Sequence, residues 1–383
     1  MSETAKLLQE LVRIGSINPM GRDVTGPTIG EARLTAFLEE FLRSLGLRPV
    51  RQKVHEGREN VYAVYQPSGA RRLVLLEAHQ DTVPVDNMTI DPFAGDTRDG
   101  KVWGRGSCDV KGGMAAILTA VRRLVAEKAL KTGVMVAFTV DEEQTFAGVK
   151  KLLDVPLRPD VAVAAEPTSL EIVIAHKGVA RWKVRTAGQS CHSSYPERGV
   201  NAIYRMAPVI AAHERYAAML AAGRRHPLTG TATLSVGVIR GGTSVNTVPS
   251  WCELEVDRRL LPGEDGEEAF RDAESYLRSA IGPEIAVELV EPWLLDPPLD
   301  TPEDAEVVSL ARKAVSAIIG HHRVCGVSYG TDASKLALAG VPSIVLGPGD
   351  IAQAHTADEW ISIEQLDQAA EIYYRFVSAA GKS

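Results

Sequence analysis

The chain has 383 residues, enough for two packed domains but short for three. Apolar residues make up 45% of it and charged residues 24%, values that are typical of a folded globular protein and exclude a disordered chain. Lysine and arginine number 42 against 49 acidic residues, a net charge of −7, so charge favours neither nucleic acid nor an anionic membrane as a partner. The apolar runs at 73–76 and 134–140 have strand length and fall far short of the roughly 20 residues of a membrane helix.

The N-terminal segment is predicted to form an amphipathic helix, not a signal peptide. Its apolar residues between positions 7 and 12 share one helical face, and acidic and amide residues interrupt them. The four cysteines, at positions 108, 191, 252 and 325, include no CxxC pair. This spacing predicts reduced thiols and a cytoplasmic protein.

Strands and helices alternate along the first part of the chain. Apolar runs predict strands at 60–65, 73–78, 134–140 and 161–165, and helical spacing predicts helices at 34–45 and 113–128. This alternation favours an α/β catalytic domain with a mostly parallel central sheet flanked by helices. In such a sheet, ligands bind beyond the carboxyl ends of the strands.

Near residue 177 the pattern changes to half-exposed strands and two longer helices. The predicted elements are strands at 179–187, 232–239, 251–259 and 285–290 and helices at 200–222 and 264–281. After a Pro-rich stretch the first pattern returns, with helices at 302–319, 332–339 and 363–380 and a strand at 342–346. We therefore predict a catalytic domain of residues 1–176 and 290–383, interrupted by a smaller inserted α+β lid domain of residues 177–289.

Polar residues at the first predicted strand and in a nearby loop are candidates for a metal site. His79 and Asp81 end the run LVLLEAHQD, where residues i and i+2 face the same side, so Asp81 can orient the His79 imidazole. Asp109 lies in a Gly-rich loop before a predicted helix, where the backbone can approach a bound group closely. Taken alone, a polar turn would also explain the first motif and a helix cap the second.

Further acidic residues and a second histidine follow other predicted strands. Three consecutive acids at 141–143 end the run VMVAFTV, and they repel one another unless a cation or a shifted pKa relieves them. Glu166 ends the run VAVAAE, and His355 lies in a Gly/Pro loop after SIVLG. A solvated loop would also suit each of them separately, but together they place two imidazoles and several carboxylates at one edge of one sheet.

Five of these side chains form a ligand set for two divalent metal ions, each with one imidazole and one carboxylate and with a third carboxylate between them. The set is His79, Asp109, Glu143, Glu166 and His355. Glu142 is left over, and an extended chain would direct it away from Glu143. It can therefore act as a general base, which indicates a metal-assisted hydrolase.

The chain resembles the family of co-catalytic zinc hydrolases that includes acetylornithine deacetylase, succinyl-diaminopimelate desuccinylase, aminoacylase and glutamate carboxypeptidase. The segments HQDTVP, DPFAG, DGKVWGRGSCDVKGG, DEE, AEPT, GPGD and AHTADEW occur in the family's order and extend over essentially the whole chain. The resemblance implies that His79 and Glu166 bind one zinc ion, Glu143 and His355 the other, and that Asp109 bridges them.

The resemblance also assigns roles to residues beside the ligands and in the predicted lid. It implies that Asp81 supports His79, that Glu142 is the base, and that His192 in GQSCHSSYPERGVNAI reaches across a homodimer to stabilise an oxyanion. Asn246 and Arg259, in GGTSVNTVPSWCELEVDRR, match positions that recognise a substrate carboxylate, which suits the two-pronged guanidinium of an arginine. Arg258 competes for the second position. Gly330 and Thr331, in GVSYGTDAS, match the family's substrate loop.

The expected function is hydrolysis of a linear amide, foremost the N-acyl group of an amino acid. Glu166, where the glutamate carboxypeptidase branch tends to have Asp, favours the deacylases. Cobalt and manganese are alternatives to zinc. The alternative activity is that of a dipeptidase or carboxypeptidase with the same metals. A non-catalytic binding protein and a single-metal hydrolase are more remote alternatives. Glu77, Gln80 and the segment 144–146 depart from the commonest family wording and can alter the pocket or its entrance.

Overall fold

The computed structural model describes residues 1–127, 131–283 and 285–381. Contacts divide the chain into two compact units. Unit 1 contains Met1–Ile174, Thr301–Cys325 and Thr331–Ser383, and unit 2 contains Ala175–Asp300 and Gly326–Gly330. The domain bounds predicted above place residues 290–300 in the catalytic domain, whereas the contacts group them with unit 2 because a strand that begins at Val287 continues to Asp296.

The α-helices are α1 (Glu3–Arg13), α2 (Ala32–Ser44), α3 (Lys111–Glu127), α4 (Ala147–Leu152), α5 (Ala202–Ala222), α6 (Gly266–Ala280), α7 (Glu306–Ile319), α8 (Ala333–Leu338) and α9 (Ile363–Ala380). Throughout the part of the chain that the structure describes, each helix is too short or too polar to span a bilayer.

The strands of the first half of the chain are β1 (Val50–His55), β2 (Arg58–Tyr65), β3 (Arg72–His79), β4 (Asp96–Arg98), β5 (Lys101–Trp103), β6 (Thr132–Thr139), β7 (Val161–Ala164), β8 (Ile172–His176) and β9 (Gly178–Ala187). The remaining strands are β10 (Arg225–His226), β11 (Gly230–Thr231), β12 (Thr233–Gly241), β13 (Trp251–Leu260), β14 (Val287–Asp296), β15 (Leu299–Asp300), β16 (Val324–Val327), β17 (Ser343–Val345) and β18 (Trp360–Ser362).

The large sheet of unit 1 is parallel at its centre, which confirms the predicted fold class. The strand order is β1-β2-β6-β3-β7-β17-β8, in which β3 pairs in parallel with β6 and β7, and β7 with β17. The β1–β2, β2–β6 and β17–β8 pairs are antiparallel. Every residue of β6 is buried, as expected of a central strand covered on both faces.

Helices bury the apolar side chains of this sheet in one core. Leu8 of α1, Ile117 of α3 and Phe376 of α9 are fully buried in it. Side-chain caps fix where helices begin: the Ser2 hydroxyl accepts a hydrogen bond from the Ala5 amide at the start of α1, and that of Ser362 caps α9 in the same way.

Unit 2 is an antiparallel sheet in the order β12-β13-β9-β14, with α5 and α6 packed against it. Alternate residues of β9 explain this arrangement. Trp182 and Val184 lie in the apolar core with Phe270 of α6, whereas Arg181 on the opposite face pairs with Asp257 of β13. Strand β12 forms one edge of this sheet.

Most predicted elements are confirmed, and α9 has the predicted bounds. Residue 128, predicted to end a helix, lies outside the described residues. The helix predicted from 302 begins at Glu306, and the strand predicted at 285–290 runs as β14 to Asp296. Pro292 lies within β14 where its register with β9 shifts, and such an irregularity accommodates a residue without an N–H donor. The structure also contains elements that the sequence pattern did not predict, namely helix α4 and the strands β1, β4, β5, β8, β10, β11, β15, β16 and β18.

Candidate metal centre

Four of the five predicted ligands follow strands of the parallel core. His79 ends β3, Glu143 follows β6, Glu166 follows β7, and His355 lies in the loop after β17. Because these strands are parallel neighbours, their carboxyl ends lie at the same edge of the sheet, and residues far apart in the sequence meet there. The fifth, Asp109, comes from the loop between β5 and α3.

Asp109 lies between the two imidazoles. Its Oδ1 atom is 3.0 Å from Nε2 of His79, and its Oδ2 atom is 3.2 Å from Nε2 of His355. Each oxygen of one carboxylate therefore faces a different histidine, so Asp109 could contact two metal ions at once.

The other two carboxylates divide between the histidines. Glu143 Oε1 lies 3.2 Å from Nε2 of His355, and Glu166 Oε1 lies 3.7 Å from Nε2 of His79. Among the residues that the structure describes, one ligand atom each from His79, Asp109 and Glu143 lie within 4.8 Å of one another. The structure thus brings together all five predicted ligands.

Burial and close contact between the imidazoles and carboxylates shift the pKa values of this cluster. Burial raises the pKa of Glu166 to about 8, and hydrogen bonds with Asp109 and Glu143 raise the pKa of His355 to about 10. Burial by itself would lower the pKa of His79, but the nearby carboxylates raise it well above its ordinary value. Burial would also raise the pKa of Asp109, yet its hydrogen bonds with both histidines hold it below its ordinary value. Both imidazoles therefore lie in surroundings that favour positive charge.

The donor set fits a pair of such cations. Imidazole nitrogen and carboxylate oxygen are ligands for zinc and other borderline divalent metals, and each histidine here has its own carboxylate and shares another. His79, Asp109 and Glu166 are buried, and half of the His355 side chain is exposed. Solvent access through His355 would allow substrate to approach.

Asp81 holds the segment that carries Glu142 and Glu143. Its Oδ1 and Oδ2 atoms accept hydrogen bonds of 3.1 Å from the main-chain amides of Glu142 and Glu143, respectively. The Nδ1 atom of His79 lies 2.9 Å from the main-chain carbonyl oxygen of Asp81 and 3.7 Å from its carboxylate. Asp81 therefore contacts His79 chiefly through its backbone.

Glu142 lies in a turn, so the extended chain expected above is wrong. Asp141 has a φ of 66°, and its carbonyl oxygen accepts a hydrogen bond of 2.8 Å from the Phe146 amide, which closes the turn. Removal from water raises the pKa of Glu142 well above its ordinary value, against the attraction of His79. A carboxyl group with a raised pKa beside the ligands suits a residue that accepts and returns a proton.

A buried polar network that the sequence did not indicate supports this turn. The Asn18 side-chain amide donates to Asp81 Oδ2 at 2.8 Å and to Asp141 Oδ1 at 3.0 Å. Arg58 links Asp141 Oδ1, at 2.8 Å, to the fully buried Glu31. Residues 18 and 58 lie in segments without a motif, so no signal in the sequence pointed to them.

Glu359 is a second supporting residue that the sequence analysis did not single out. Its carboxylate is fully buried and lies against the loop that ends in Asp109. It stands inside the segment AHTADEW, whose histidine was noted. An acid that precedes a tryptophan in a strand carried no further signal.

Two of the departures noted in the sequence belong to the interior of the sheet. Gln80 is fully buried, and its side-chain amide donates to the main-chain carbonyl oxygens of Glu59 and Phe138. Glu77 is also buried and accepts a hydrogen bond from the Thr139 hydroxyl. Both side chains tie neighbouring strands together.

The remaining candidate residues lie mostly in unit 2. His192 pairs with Thr247 in an isolated bridge, and the Ser193 amide donates to the Asn246 carbonyl oxygen, so His192 and Asn246 are neighbours. Arg259 pairs with Asp257. The competing candidate Arg258 is buried and pairs with Glu264.

Gly330 and Thr331, the two residues of the predicted substrate loop, fall in different units. Gly330 belongs to unit 2, whereas Thr331 belongs to unit 1, where it is fully buried. The Thr331 carbonyl oxygen accepts a hydrogen bond from the Lys335 ammonium group.

A cluster of histidines and carboxylates at the carboxyl edge of a parallel sheet, with a further acid beside it, defines a metal-dependent hydrolase. Residues 75–379 match peptidase family M20/M25/M40, and the chain belongs to that family. It is an enzyme of the amidohydrolase and metallopeptidase kind.

Relatives and solved structures extend this similarity. The chain is 34% identical over 355 residues to the acetylornithine deacetylase of Myxococcus xanthus, with 91% of this chain and 88% of that protein covered. Its fold is similar to that of an M20 family metallo-carboxypeptidase from Sulfolobus solfataricus (TM-score 0.82, 20% identity, 100% of both chains). It is also similar to that of a dinuclear metal-binding M20 peptidase from Bacillus subtilis (TM-score 0.72, 18% identity, 99% of this chain and 98% of that chain).

If the cluster holds two metal ions, the contacts of Asp109 predict that it supports both of them and that His355 supports only one. Asp109→Ala should leave fewer than one Co²⁺ bound per chain, whereas His355→Ala should retain about one, because the ligands of the other ion stay in place. Equilibrium dialysis against Co²⁺ measures both, with Asp96→Ala on the exposed strand β4 as the control. Equal loss in the two ligand variants would argue against a bridging Asp109.

Proposed function

We propose that the chain is a hydrolase that removes the N-acyl group of an amino acid with the aid of two divalent metal ions, of which zinc is the first candidate and cobalt or manganese the alternatives. The observation that carries this proposal is the Asp109 carboxylate, which faces His79 with one oxygen and His355 with the other. The identity with an acetylornithine deacetylase over 91% of the chain supports the deacylase reaction.

The proposed ligand assignment follows the distances. His79 and Glu166 would hold one ion, Glu143 and His355 would hold the other, and Asp109 would contact both. When bound, the pair of ions polarises the amide carbonyl and lowers the pKa of an attacking water. The assignment is supported by the short distance from each carboxylate to its histidine.

Glu142 is the proposed general base. It takes a proton from the attacking water and returns it to the leaving amine, which requires a carboxyl group that changes protonation state near neutral pH. Asp81 positions the Glu142 main chain through the hydrogen bond from its amide. Its second oxygen positions Glu143 in the same way, so the base and a ligand share one support.

Unit 2 supplies all of the proposed substrate contacts except Thr331. His192 donates a hydrogen bond to the oxyanion, and Asn246 and Arg259 hold the substrate carboxylate. Gly330 and Thr331 contact the acyl group or the carboxylate. The adjacency of His192 and Asn246 supports their joint role. In this proposal residues 177–289 form the lid and residues 1–176 and 290–383 the catalytic domain.

We also propose that the chain forms a homodimer through unit 2. In this dimer His192 would act in the partner's site. Strand β12 is an edge strand, and an open edge is a surface that pairs with another chain. Beside it lies a groove whose lining includes the exposed side chains of Ile203, Tyr204 and Val245. The proposed location is the cytoplasm, which the four free cysteines support.

A dipeptidase or carboxypeptidase with the same metal pair is the second candidate, favoured by the peptidase family to which the chain belongs. A panel of N-acetyl, N-succinyl and N-formyl amino acids and dipeptides, assayed with Zn²⁺, Co²⁺ or Mn²⁺ together with metal content per chain, separates the two. We expect cleavage of one N-acyl class with two ions bound. Cleavage of dipeptides alone would replace the deacylase with a peptidase, and one bound ion at full activity would contradict the two-metal site.

Glu142→Ala tests the base. It should lower kcat by roughly 10²–10⁴-fold, because a positioned general base contributes about that much, while both metal ions remain bound. Steady-state kinetics and metal analysis measure the two effects, and Glu364→Ala on the exposed face of α9 is the control. A variant with two bound ions and near-normal kcat would remove Glu142 from the mechanism.

Mixing two inactive variants tests the action of His192 across the dimer. His192→Ala and Glu142→Ala chains that exchange subunits at random should recover about a quarter of the wild-type activity, because half of the dimers then contain one intact site of two. Subunit exchange is verified with a mass or fluorescent label. Verified exchange without recovery would show that His192 does not act in trans.

A further inference from the structure

The carboxylate of Glu359 accepts four hydrogen bonds in the interior of unit 1. Its Oε2 atom accepts from Nη1 of Arg105 at 2.7 Å and from the main-chain amide of Gly106 at 3.0 Å. Its Oε1 atom accepts from the amides of Cys108 at 2.9 Å and Asp109 at 3.0 Å. Three of the four donors are therefore main-chain amides of the loop that delivers Asp109.

Main-chain hydrogen bonds of Glu359 and of the strand that follows it fix the position of Glu359. Strand β18 pairs with β5, so Trp360 lies opposite Trp103, and the Gly104 amide donates to the Glu359 carbonyl oxygen at 2.9 Å. The Lys101 ammonium group lies 3.5 Å from the centre of the Trp360 ring, a contact that strengthens this pairing.

Glu359 connects the loops of two ligands. His355 lies four residues before it, and the Asp109 amide is bonded to its carboxylate. A shift of Glu359 would therefore move the Asp109 carboxylate with respect to the histidines, which lie only 3.0 and 3.2 Å from its oxygens. Mutation of a group that orients a metal ligand typically lowers metal affinity or activity by roughly 10–100-fold.

We propose that Glu359 is a positioning residue that holds Asp109 between the two histidines and so sets the affinity of the chain for its metal pair. This inference rests on the proposed two-metal function of the site. The role requires a side chain that accepts hydrogen bonds from four donors at once, as the Glu359 carboxylate does. Glu359 touches neither metal nor substrate in this role.

Glu359→Gln is a sharp test because it preserves size and changes only the donor pattern. Both oxygens of Glu359 face donors alone, so either orientation of the glutamine amide directs its NH₂ group at N–H groups. We expect the affinity for Co²⁺ to fall roughly 10–100-fold, as for other residues that orient metal ligands. Competition with a chelator gives the affinity, and the visible absorption of bound Co²⁺ reports the changed ligand geometry.

Glu306→Gln is the control, since Glu306 also pairs with an arginine, Arg72, in the same unit but lies away from the ligand loops. It should leave Co²⁺ affinity unchanged. Circular dichroism of the metal-free proteins checks that Glu359→Gln is folded. If it is not, Glu359→Asp keeps the charge but shortens the reach, and its Co²⁺ affinity should also fall.

The outcomes distinguish this inference from the proposed function. A folded Glu359 variant with wild-type Co²⁺ affinity and spectrum would overturn the positioning role while leaving the metal site intact. A wild-type chain that binds no Co²⁺ would instead contradict the proposed function itself. An equal loss of affinity in Glu306→Gln would show a general effect on the unit and would also overturn the inference.

Discussion

Repulsion among carboxylates is the constraint to which the site is adapted. Asp109, Glu143 and Glu166 each have a carboxylate oxygen within 3.7 Å of one of the two histidines, and Glu142 lies beside them, in surroundings where water screens charge poorly. The two histidines reduce this repulsion only when they carry protons, which is why the pKa of His355 rises to about 10. A pair of divalent cations would offset the same repulsion, and because metal ligands bind as unprotonated groups, their binding would release protons from the site.

The sheet makes this concentration of charge possible. The parallel core of the sheet contains four neighbouring strands, β6, β3, β7 and β17. Their pairing determines where the strands end, and therefore where the residues that follow them lie. The stability of the hydrogen-bonded sheet and of the buried apolar core of unit 1 offsets the repulsion between the like charges. Rigid strands with short loops thus hold the charged groups more firmly than a long flexible loop could.

The ligands could be predicted because they follow strands, and strands have a signal in the apolar pattern. His79, Glu143 and Glu166 each follow such a run, and the family's motifs added the assignments. The supports could not be predicted in this way. Asn18 bonds to Asp81 and Glu359 to the Asp109 loop across long stretches of sequence, and a hydrogen bond between a side chain and a distant main chain leaves no periodicity. The turn at Glu142 was missed for a related reason, because it depends on the Asp81 carboxylate, which two main-chain amides share.

The distribution of the ligands along the chain also bears on biosynthesis. His79 is made early, and His355 is made only after the whole of Ala175–Asp300. During synthesis from the N-terminus, the growing chain therefore presents an incomplete set of ligands until nearly all of it has left the ribosome. Metal ions that bind the complete ligand set would then stabilise the folded state by mass action.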